Sequence, residues 1–125
     1  MQLTLDQPES NFILRGTGPG CVLVNQRTLT RSFIVSADQL VEDWPPVAPE
    51  ALGAEDMDAV LALDVEVVVL GTGERLRFPT PAVMAACLTR GVGIEVMDNA
   101  AAARTFNVLV AEGRRAAAAF LIAGG

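Results

Sequence analysis

The sequence contains no lysine and no histidine. Without lysine the chain cannot form a Schiff base with a substrate, and it lacks the cation of the phosphate-binding loop. Without histidine it lacks the most frequent general base and the commonest metal ligand. We also find no paired carboxylates and no nucleophile with a nearby base at a defensible spacing. We therefore predict no catalytic residue, no metal site and no cofactor.

Cysteine and long apolar runs are also scarce. The two cysteines, Cys21 and Cys87, have no motif spacing, and we predict buried, reduced thiols because disulfides are rare in the cytosol. The apolar run over residues 116–123 is far shorter than the ~18–20 residues that cross a bilayer. Met1–Asp6 lacks the basic region and apolar block of a secretory signal. We expect a cytoplasmic protein without an integral membrane segment.

Positive charge is in deficit, with 15 acidic residues against nine basic ones and a net charge of −6. Nucleic-acid binding needs a surplus of basic side chains, so we predict no nucleic-acid partner. Apolar residues make up 51% of the 125-residue chain, which excludes a disordered protein and suffices for a core. The length fits one domain over residues 1–125.

The first third of the chain predicts short antiparallel strands. Gly and Pro punctuate apolar runs there, and connections this short cannot cross over to a parallel partner. The predicted strands are Leu3–Leu5, Phe12–Arg15, Cys21–Asn25 and Leu29–Val35, with a turn over Gly16–Gly20.

A proline-rich segment follows, containing Trp44, Pro45, Pro46 and Pro49. Prolines at this density preclude a regular helix, so we predict an extended connection. A lone tryptophan most often anchors a segment to the core. The alternative for Trp44 is a stacking platform for a ligand. If the protein acts through protein contacts, Trp44, Pro45 and Pro46 are predicted to contribute to the partner surface.

The remaining sequence alternates between helical and strand patterns. Such alternation predicts a parallel or mostly parallel sheet with right-handed crossovers. Helical spacing places Leu88 and Val108 on buried faces. The predicted elements are helices over 53–63, 81–90 and 100–112 and strands over 65–70, 93–97 and 116–122.

The glycine-containing turn after the first of these strands is the main candidate site. Gly71-Thr72-Gly73 follows an apolar strand, and open α/β sheets bind ligands at such strand ends. The dinucleotide pattern is incomplete because residue 76 is leucine. Either the glycines admit an anion to the backbone, or they only permit a tight turn.

Polar residues elsewhere in this half extend the candidate site. We expect Arg75, Arg77 and Arg104 to converge near the turn and grip a carboxylate or phosphate, or else to pair with Glu74, Asp98 or Glu112. Asp98 or Asn99 is predicted to cap the third helix, and Asn107 to bond the glycine turn or a loop carbonyl. The full candidate ligand set is Gly71, Thr72, Gly73, Arg75, Arg77, Asp98, Arg104 and Asn107.

Several segments in combination resemble a known family. These are Gly71-Thr72-Gly73, Phe78-Pro79, Gly93–Asp98, Ala103–Leu109 and Glu112–Ala116. The chain is similar to the Mth938-like domain proteins, to which mitochondrial complex I assembly factor 3 is related. The resemblance implies a three-layer α/β fold, with a mixed central sheet, helices and a smaller antiparallel β layer. It also implies no established enzymatic activity and a role through protein contacts.

Two functional hypotheses follow. The first is a non-enzymatic interaction or assembly protein with a protein partner, in which self-association into a homo-oligomer is one form of contact. The alternative is a small anionic-ligand binder or enzyme that uses the Gly71–Gly73 turn and the nearby arginines. The structural discriminator is whether that turn faces an open pocket with arginine donors or is covered.

Overall fold

The structure, a computed structural model, describes residues 11–123. The predicted strand Leu3–Leu5 lies outside the described residues. The main element is a five-stranded mixed sheet with the order β5-β4-β8-β6-β7. Its central strand, β8, pairs antiparallel with β4 and parallel with β6, which in turn pairs parallel with β7. The strands are β4 (Phe33–Ser36), β5 (Leu40–Val41), β6 (Val67–Gly71), β7 (Gly93–Met97) and β8 (Ala116–Phe120).

A smaller antiparallel sheet precedes the main sheet in the chain. It is a meander of β1 (Leu14–Gly18), β2 (Cys21–Val24) and β3 (Arg27–Leu29) in sequence order. The inward side chains of β2 are Val22 and Val24, while Leu23 between them is exposed. This alternation is typical of a sheet with one covered face.

Within residues 11–123, three α-helices connect the strands: α1 (Asp58–Leu61), α2 (Pro81–Leu88) and α3 (Asn99–Ala111). Two 3₁₀ turns, Pro49–Ala51 and Ala54–Met57, precede α1. The predicted helix over 53–63 is therefore divided equally between a 3₁₀ turn (Ala54–Met57) and a short α-helix (Asp58–Leu61). Its start is fixed by Asp56, whose carboxylate accepts a 2.8 Å hydrogen bond from the Gly53 amide.

Two apolar cores cover the two faces of the main sheet. On one face α3 and the small sheet pack around Phe33, Phe106 and Phe120, and the rings of Phe33 and Phe120 stack with centroids 4.9 Å apart. On the other face α1 and α2 pack around Ile34 and Leu70. These layers confirm the predicted α/β class with a mixed central sheet, helices and a smaller antiparallel β layer.

The last strand shows tertiary packing overriding local preference. Residues 116–119 are all alanine, which favours helix, yet they form the centre of the sheet. Every residue of β8 is buried on one face or the other. Small side chains there let helices from both layers approach the sheet closely, and the strand predicted over 116–122 is confirmed in its core.

The predicted strand Leu29–Val35 is wrong as a single element. Leu29 ends β3 in the small sheet, and Phe33 begins β4 in the main sheet. Ser32 lies at the change of sheet, where its hydroxyl accepts a 2.9 Å bond from the Ile122 amide. That contact aligns the following residues with the end of β8, so the chain leaves one sheet and enters the other.

Two further boundaries differ from the sequence prediction. The strand predicted over Phe12–Arg15 begins at Leu14 and continues through Gly18, because residues 16–18 pair with β2. The turn is therefore shorter than predicted, and Gly20 adopts the left-handed φ of +67° there. The predicted burial of Leu88 and Val108 is also wrong, since these side chains are 59% and 54% exposed.

Candidate functional site

A cleft of about 610 Å³ lies at the carboxyl ends of the parallel strands. Its walls come from the loop after β6, the start of α3, the segment after β8 and the β1–β2 turn. Parallel strands of an α/β sheet direct their carboxyl ends to such a crevice. The lining residues are Thr17, Gly18, Pro19, Gly20, Cys21, Val47, Thr72, Gly73, Glu74, Arg75, Arg77, Asp98, Asn99, Ala100, Leu121, Ile122 and Ala123.

Thr72 fixes the loop after β6. Its buried hydroxyl donates to the Arg75 carbonyl at 2.7 Å and accepts from the Arg77 amide at 3.1 Å. The Thr72 amide donates to the Met97 carbonyl at 2.9 Å, which extends the pairing of β6 with β7. The backbone that carries Arg75 and Arg77 is therefore held in place before any ligand binds.

Asn99 joins three parts of the cleft floor. Its side-chain oxygen accepts from the Gly73 amide at 3.0 Å, and its side-chain nitrogen donates to the Leu121 carbonyl at 3.1 Å. The Asn99 backbone amide donates to the Gly73 carbonyl at 2.8 Å. Asn99 is not among the ligand residues predicted from the sequence, because an asparagine beside a capping aspartate gives no sign of burial.

The glycines of the turn have a steric and conformational role. A Cβ at Gly71 would overlap the Asn99 amide oxygen and lie 3.1 Å from the Phe120 ring. Gly73 adopts φ +109°, a conformation that residues with side chains rarely enter. Because the Gly73 amide already donates to Asn99, it is not a spare donor for an anion. The turn itself is thus closed by the protein, while the residues after it line the open cleft.

Glu74 connects the two sheets across the cleft. Its carboxylate accepts a 3.2 Å hydrogen bond from the Gly20 amide in the β1–β2 turn. These residues are far apart in the sequence, and the bond brings the small sheet over the strand ends. The cleft therefore has a wall from each sheet.

The predicted convergence of three arginines holds for two of them. Arg75 and Arg77 line the cleft, whereas Arg104 is exposed on α3 and is not part of the lining. Arg77 forms a 2.7 Å ion pair with Glu50 rather than with the acids considered from the sequence. Among residues 11–123, no carboxylate forms an ion pair with Arg75.

Asp98 and Asn107 have separate roles. Asp98 lines the cleft and caps α3 as predicted, since its carboxylate accepts a 2.8 Å bond from the Ala101 amide. Asn107 lies outside the cleft lining, and the predicted bond to the glycine turn is wrong. It instead accepts from the Leu14 amide at 3.1 Å and donates to the Leu14 carbonyl at 2.7 Å. Asn107 therefore completes the backbone bonding of β1.

Trp44 is part of the core. Its side chain is 4% exposed, and its indole nitrogen donates to the Asp56 carbonyl at 3.0 Å. Pro46 is also buried, so of the three residues predicted for a partner surface only Pro45 is exposed. This geometry matches the expectation that Trp44 anchors the proline-rich segment.

Exposed apolar side chains occur instead on the loop after β6. Leu76 and Phe78 are 51% and 69% exposed, and they flank Arg77. We call Leu76 and Phe78 the rim patch, because their loop borders the cleft. The sequence gives no sign of this exposure, since Phe78-Pro79 stands out there only as part of the family resemblance.

The two thiols lie in different environments. Cys87 lies on the buried face of α2, where burial raises the pKa of its thiol and keeps it protonated. Such a thiol is a poor nucleophile. Cys21 is half-buried and lines the cleft, so the prediction of a buried residue is wrong for Cys21.

Comparison with known proteins places the chain in a family. Residues 14–121 match the family described as protein of unknown function (DUF498/DUF598). The chain belongs to this family. A Xenopus tropicalis relative, named NADH dehydrogenase (ubiquinone) 1 alpha subcomplex assembly factor 3, is 40% identical over 122 residues. That match covers 96% of this chain and 66% of the relative, so this chain spans about two thirds of the longer protein.

Solved structures of similar proteins share the fold. The NMR structure of a Xanthomonas campestris protein has a TM-score of 0.84 at 50% identity, covering 99% of this chain and 94% of that one. A Bordetella pertussis protein described as an Mth938-like domain has a TM-score of 0.80 at 28% identity, with the same coverages of 99% and 94%. The resemblance to Mth938-like domain proteins is confirmed.

Cellular location stays a prediction. Within residues 11–123, none of the helices has the length and apolar content that crossing a lipid bilayer requires. A Francisella tularensis relative is named a 13 kDa major membrane protein and is 26% identical over 96 residues, covering 76% of this chain and 78% of that protein.

Proposed function

We propose that this protein acts in assembly, by binding another protein through the rim patch rather than by catalysing a reaction. Support comes from the similarity to a relative named as an assembly factor, which extends over 96% of this chain. The observation that carries the proposal is the exposure of the two large apolar side chains of the rim patch on one short loop.

The rim patch has the properties of a binding anchor. Phe78 exposes 69% of its surface, more than any other large apolar residue among residues 11–123. Thr72 and the Arg77–Glu50 ion pair hold its loop in one conformation, so little conformational entropy is lost on binding. Aromatic anchors on a preorganised backbone are typical of the residues that dominate interface energies.

The flanking charges suggest the chemistry of the partner surface. Arg75 and Arg77 lie on the same loop as the rim patch, and arginine is enriched in protein interfaces. A partner with an apolar pocket bordered by carboxylates would complement this loop. The name of the Xenopus relative makes subunits of NADH dehydrogenase the first candidates.

Affinity capture with a matched pair of variants tests this function. The tagged protein is expressed at native level, and captured NADH dehydrogenase subunits are quantified by mass spectrometry. We expect Phe78→Ala to reduce their recovery at least about tenfold, since truncating an interface anchor costs ≥ 2 kcal/mol. Leu88→Ala removes a similarly exposed apolar residue from α2 and should leave the recovery unchanged.

Two results would contradict the proposal. One is the absence of NADH dehydrogenase subunits from the captured material above the level of an untagged control. The other is equal recovery by the wild type and Phe78→Ala, which would show that the rim patch is not the contact surface.

A further inference from the structure

We propose that the cleft is a binding site for a small organic monocarboxylate, held by the guanidinium of Arg75. This site adjoins the protein contact proposed for the rim patch and shares Arg75 with it, but it does not involve Leu76 or Phe78. Its volume of about 610 Å³ lies within the range of about 300–1,000 Å³ that is typical of small-molecule sites. Its position at the carboxyl ends of β6, β7 and β8 is where open α/β sheets bind ligands.

One arginine of the cleft lining has no ion-pair partner among residues 11–123 and is available to a ligand. Arg77 is occupied by Glu50 at 2.7 Å, Glu74 accepts from the Gly20 amide, and Asp98 accepts from the Ala101 amide. Arg75 also lines the cleft, and no acid among residues 11–123 forms an ion pair with its side chain. A guanidinium presents a planar pair of donors that matches a carboxylate.

The charged side chains of the cleft favour a ligand with a single negative charge. Glu74 and Asp98 are carboxylates of the lining and repel any anion, so the ligand's negative charge has to lie in direct contact with the Arg75 guanidinium. A second negative charge would meet the same repulsion, and no second unpaired cation lines the cleft among residues 11–123. A phosphate monoester or an oligonucleotide is therefore disfavoured. The exposed side chain of Val47 adds an apolar surface to the lining, which suits a short hydrocarbon body on the carboxylate.

The walls of the cleft are already fixed in the absence of a ligand. Asn99 holds Gly73 and Leu121 together, and Thr72 holds the backbone on both sides of Leu76. Binding a small ligand therefore requires ordering of the Arg75 side chain but no rearrangement of the backbone. A preformed site loses less conformational entropy on binding, which favours affinity for small ligands.

A titration followed by ¹H–¹⁵N NMR tests the site with sodium butyrate as the probe. We expect saturable shifts centred on the amides of Gly20, Arg75 and Ala100, which line the cleft. Butyramide, which has the same shape without the charge, should give no saturation. Inorganic phosphate should bind more weakly than butyrate, because it carries the second charge that the cleft disfavours.

Two arginine variants make the test specific. Arg75→Gln should raise the Kd for butyrate at least about tenfold, because the glutamine side chain has no charge or guanidinium fork. Arg104→Gln changes the net charge equally but lies off the cleft, so its Kd should stay within about twofold of the wild type. Arg75→Lys keeps the charge without the fork and should give an intermediate Kd.

Three outcomes would overturn the proposal: no saturation up to the highest soluble butyrate concentration, an unchanged Kd in Arg75→Gln, or tighter binding of phosphate than of butyrate. Arg75 is exposed, so the variants should keep the dispersed spectrum of the folded protein. The proposed protein contact is tested by Phe78→Ala, so either proposal can fail while the other stands.

Discussion

At the scale of single residues, Gly71 occupies a position beside the cleft floor that has no room for a side chain. We expect Gly71→Ala to lower the free energy of unfolding by about 1–3 kcal/mol, because the added methyl group overlaps the Asn99 amide oxygen and approaches the Phe120 ring. Asn99 cannot move aside freely, since its amide also bonds Leu121. Urea unfolding measures the change, with the slope of the transition showing whether the unfolded state is altered.

Gly16→Ala is the matched control for this variant. Gly16 also lies in a strand, but an added Cβ has nothing within 4 Å, and its φ is not in the left-handed region. The substitution should be neutral or stabilise by up to about 1 kcal/mol, through the lower entropy of the unfolded chain. Equal stability of the Gly71→Ala and Gly16→Ala variants would mean that the floor around Asn99 adapts to a side chain.

The same residues show what a sequence can and cannot predict at this scale. The position of the glycine turn followed from the strand before it, and the capping role of Asp98 followed from helix chemistry. The role of Asn99 did not follow, because its partners Gly73 and Leu121 are brought together only by the complete sheet. Burial of a polar side chain is a property of the packed molecule rather than of its neighbours in the chain.

At the scale of elements, one side chain of α3 adds hydrogen bonds to the apolar packing of β1 on that helix. Asn107 bonds both the amide and the carbonyl of Leu14. Asn107→Ala leaves both backbone groups partly buried without these partners, and we expect a loss of about 1–3 kcal/mol. Because the bonds are local, hydrogen exchange should accelerate first at Leu14 and its pairing partner Val24, before the amides of the main sheet.

Val108→Ala provides the comparison on the same helix. Val108 is 54% exposed, so its truncation should change neither the exchange of the β1 amides nor the free energy of unfolding by more than about 0.5 kcal/mol. Equal exchange rates at Leu14 in the Asn107→Ala and Val108→Ala variants would show that β1 is held by its apolar contacts alone.

The elements also show a clear limit of pattern analysis. Helical and strand periodicity predicted β6, α2, β7, α3 and β8 close to their true positions, because each is bounded by a turn or cap. Periodicity alone predicts one strand where the structure has β3 and β4, because the apolar run continues through the point where the chain changes sheets. Which sheet a short strand joins depends on a distant partner, in this case β8.

At the scale of the whole molecule, the cleft needs both halves of the chain. The sequence indicated the strand ends and two of the arginines, but it did not indicate the β1–β2 turn that forms the opposite wall. That wall is placed by the packing of the small sheet on the core, and it is joined to the opposite wall by the bond between Gly20 and Glu74, residues 54 positions apart in the chain. The early turn-rich segment therefore has a role in the site that its composition alone did not suggest.

The folded protein should lose stability in acid, because two of its carboxylates have lowered pKa values. The pKa of Glu66 is lowered from 4.5, chiefly by a hydrogen bond from the Arg115 amide and secondarily by Arg114. The pKa of Glu42 is lowered in the same direction by Arg27. A lowered carboxylate pKa stabilises the folded state above the unfolded-state value, so this contribution is lost as the pH falls below about 4.5.

A comparison of the wild type with Glu66→Gln isolates the effect of the Glu66 charge. Glutamine still accepts the Arg115 amide bond but cannot attract Arg114, so the variant should be less stable at pH 7, and the difference should shrink as the pH falls below 4.5. The Glu66 side chain is half-exposed, so the difference should be small and should shrink further in 0.5 M salt (roughly a 4 Å screening length). Denaturant unfolding at several pH values measures it. A stability difference that persists undiminished at low pH would assign the effect to packing or hydrogen bonding, because the carboxylate charge is absent there.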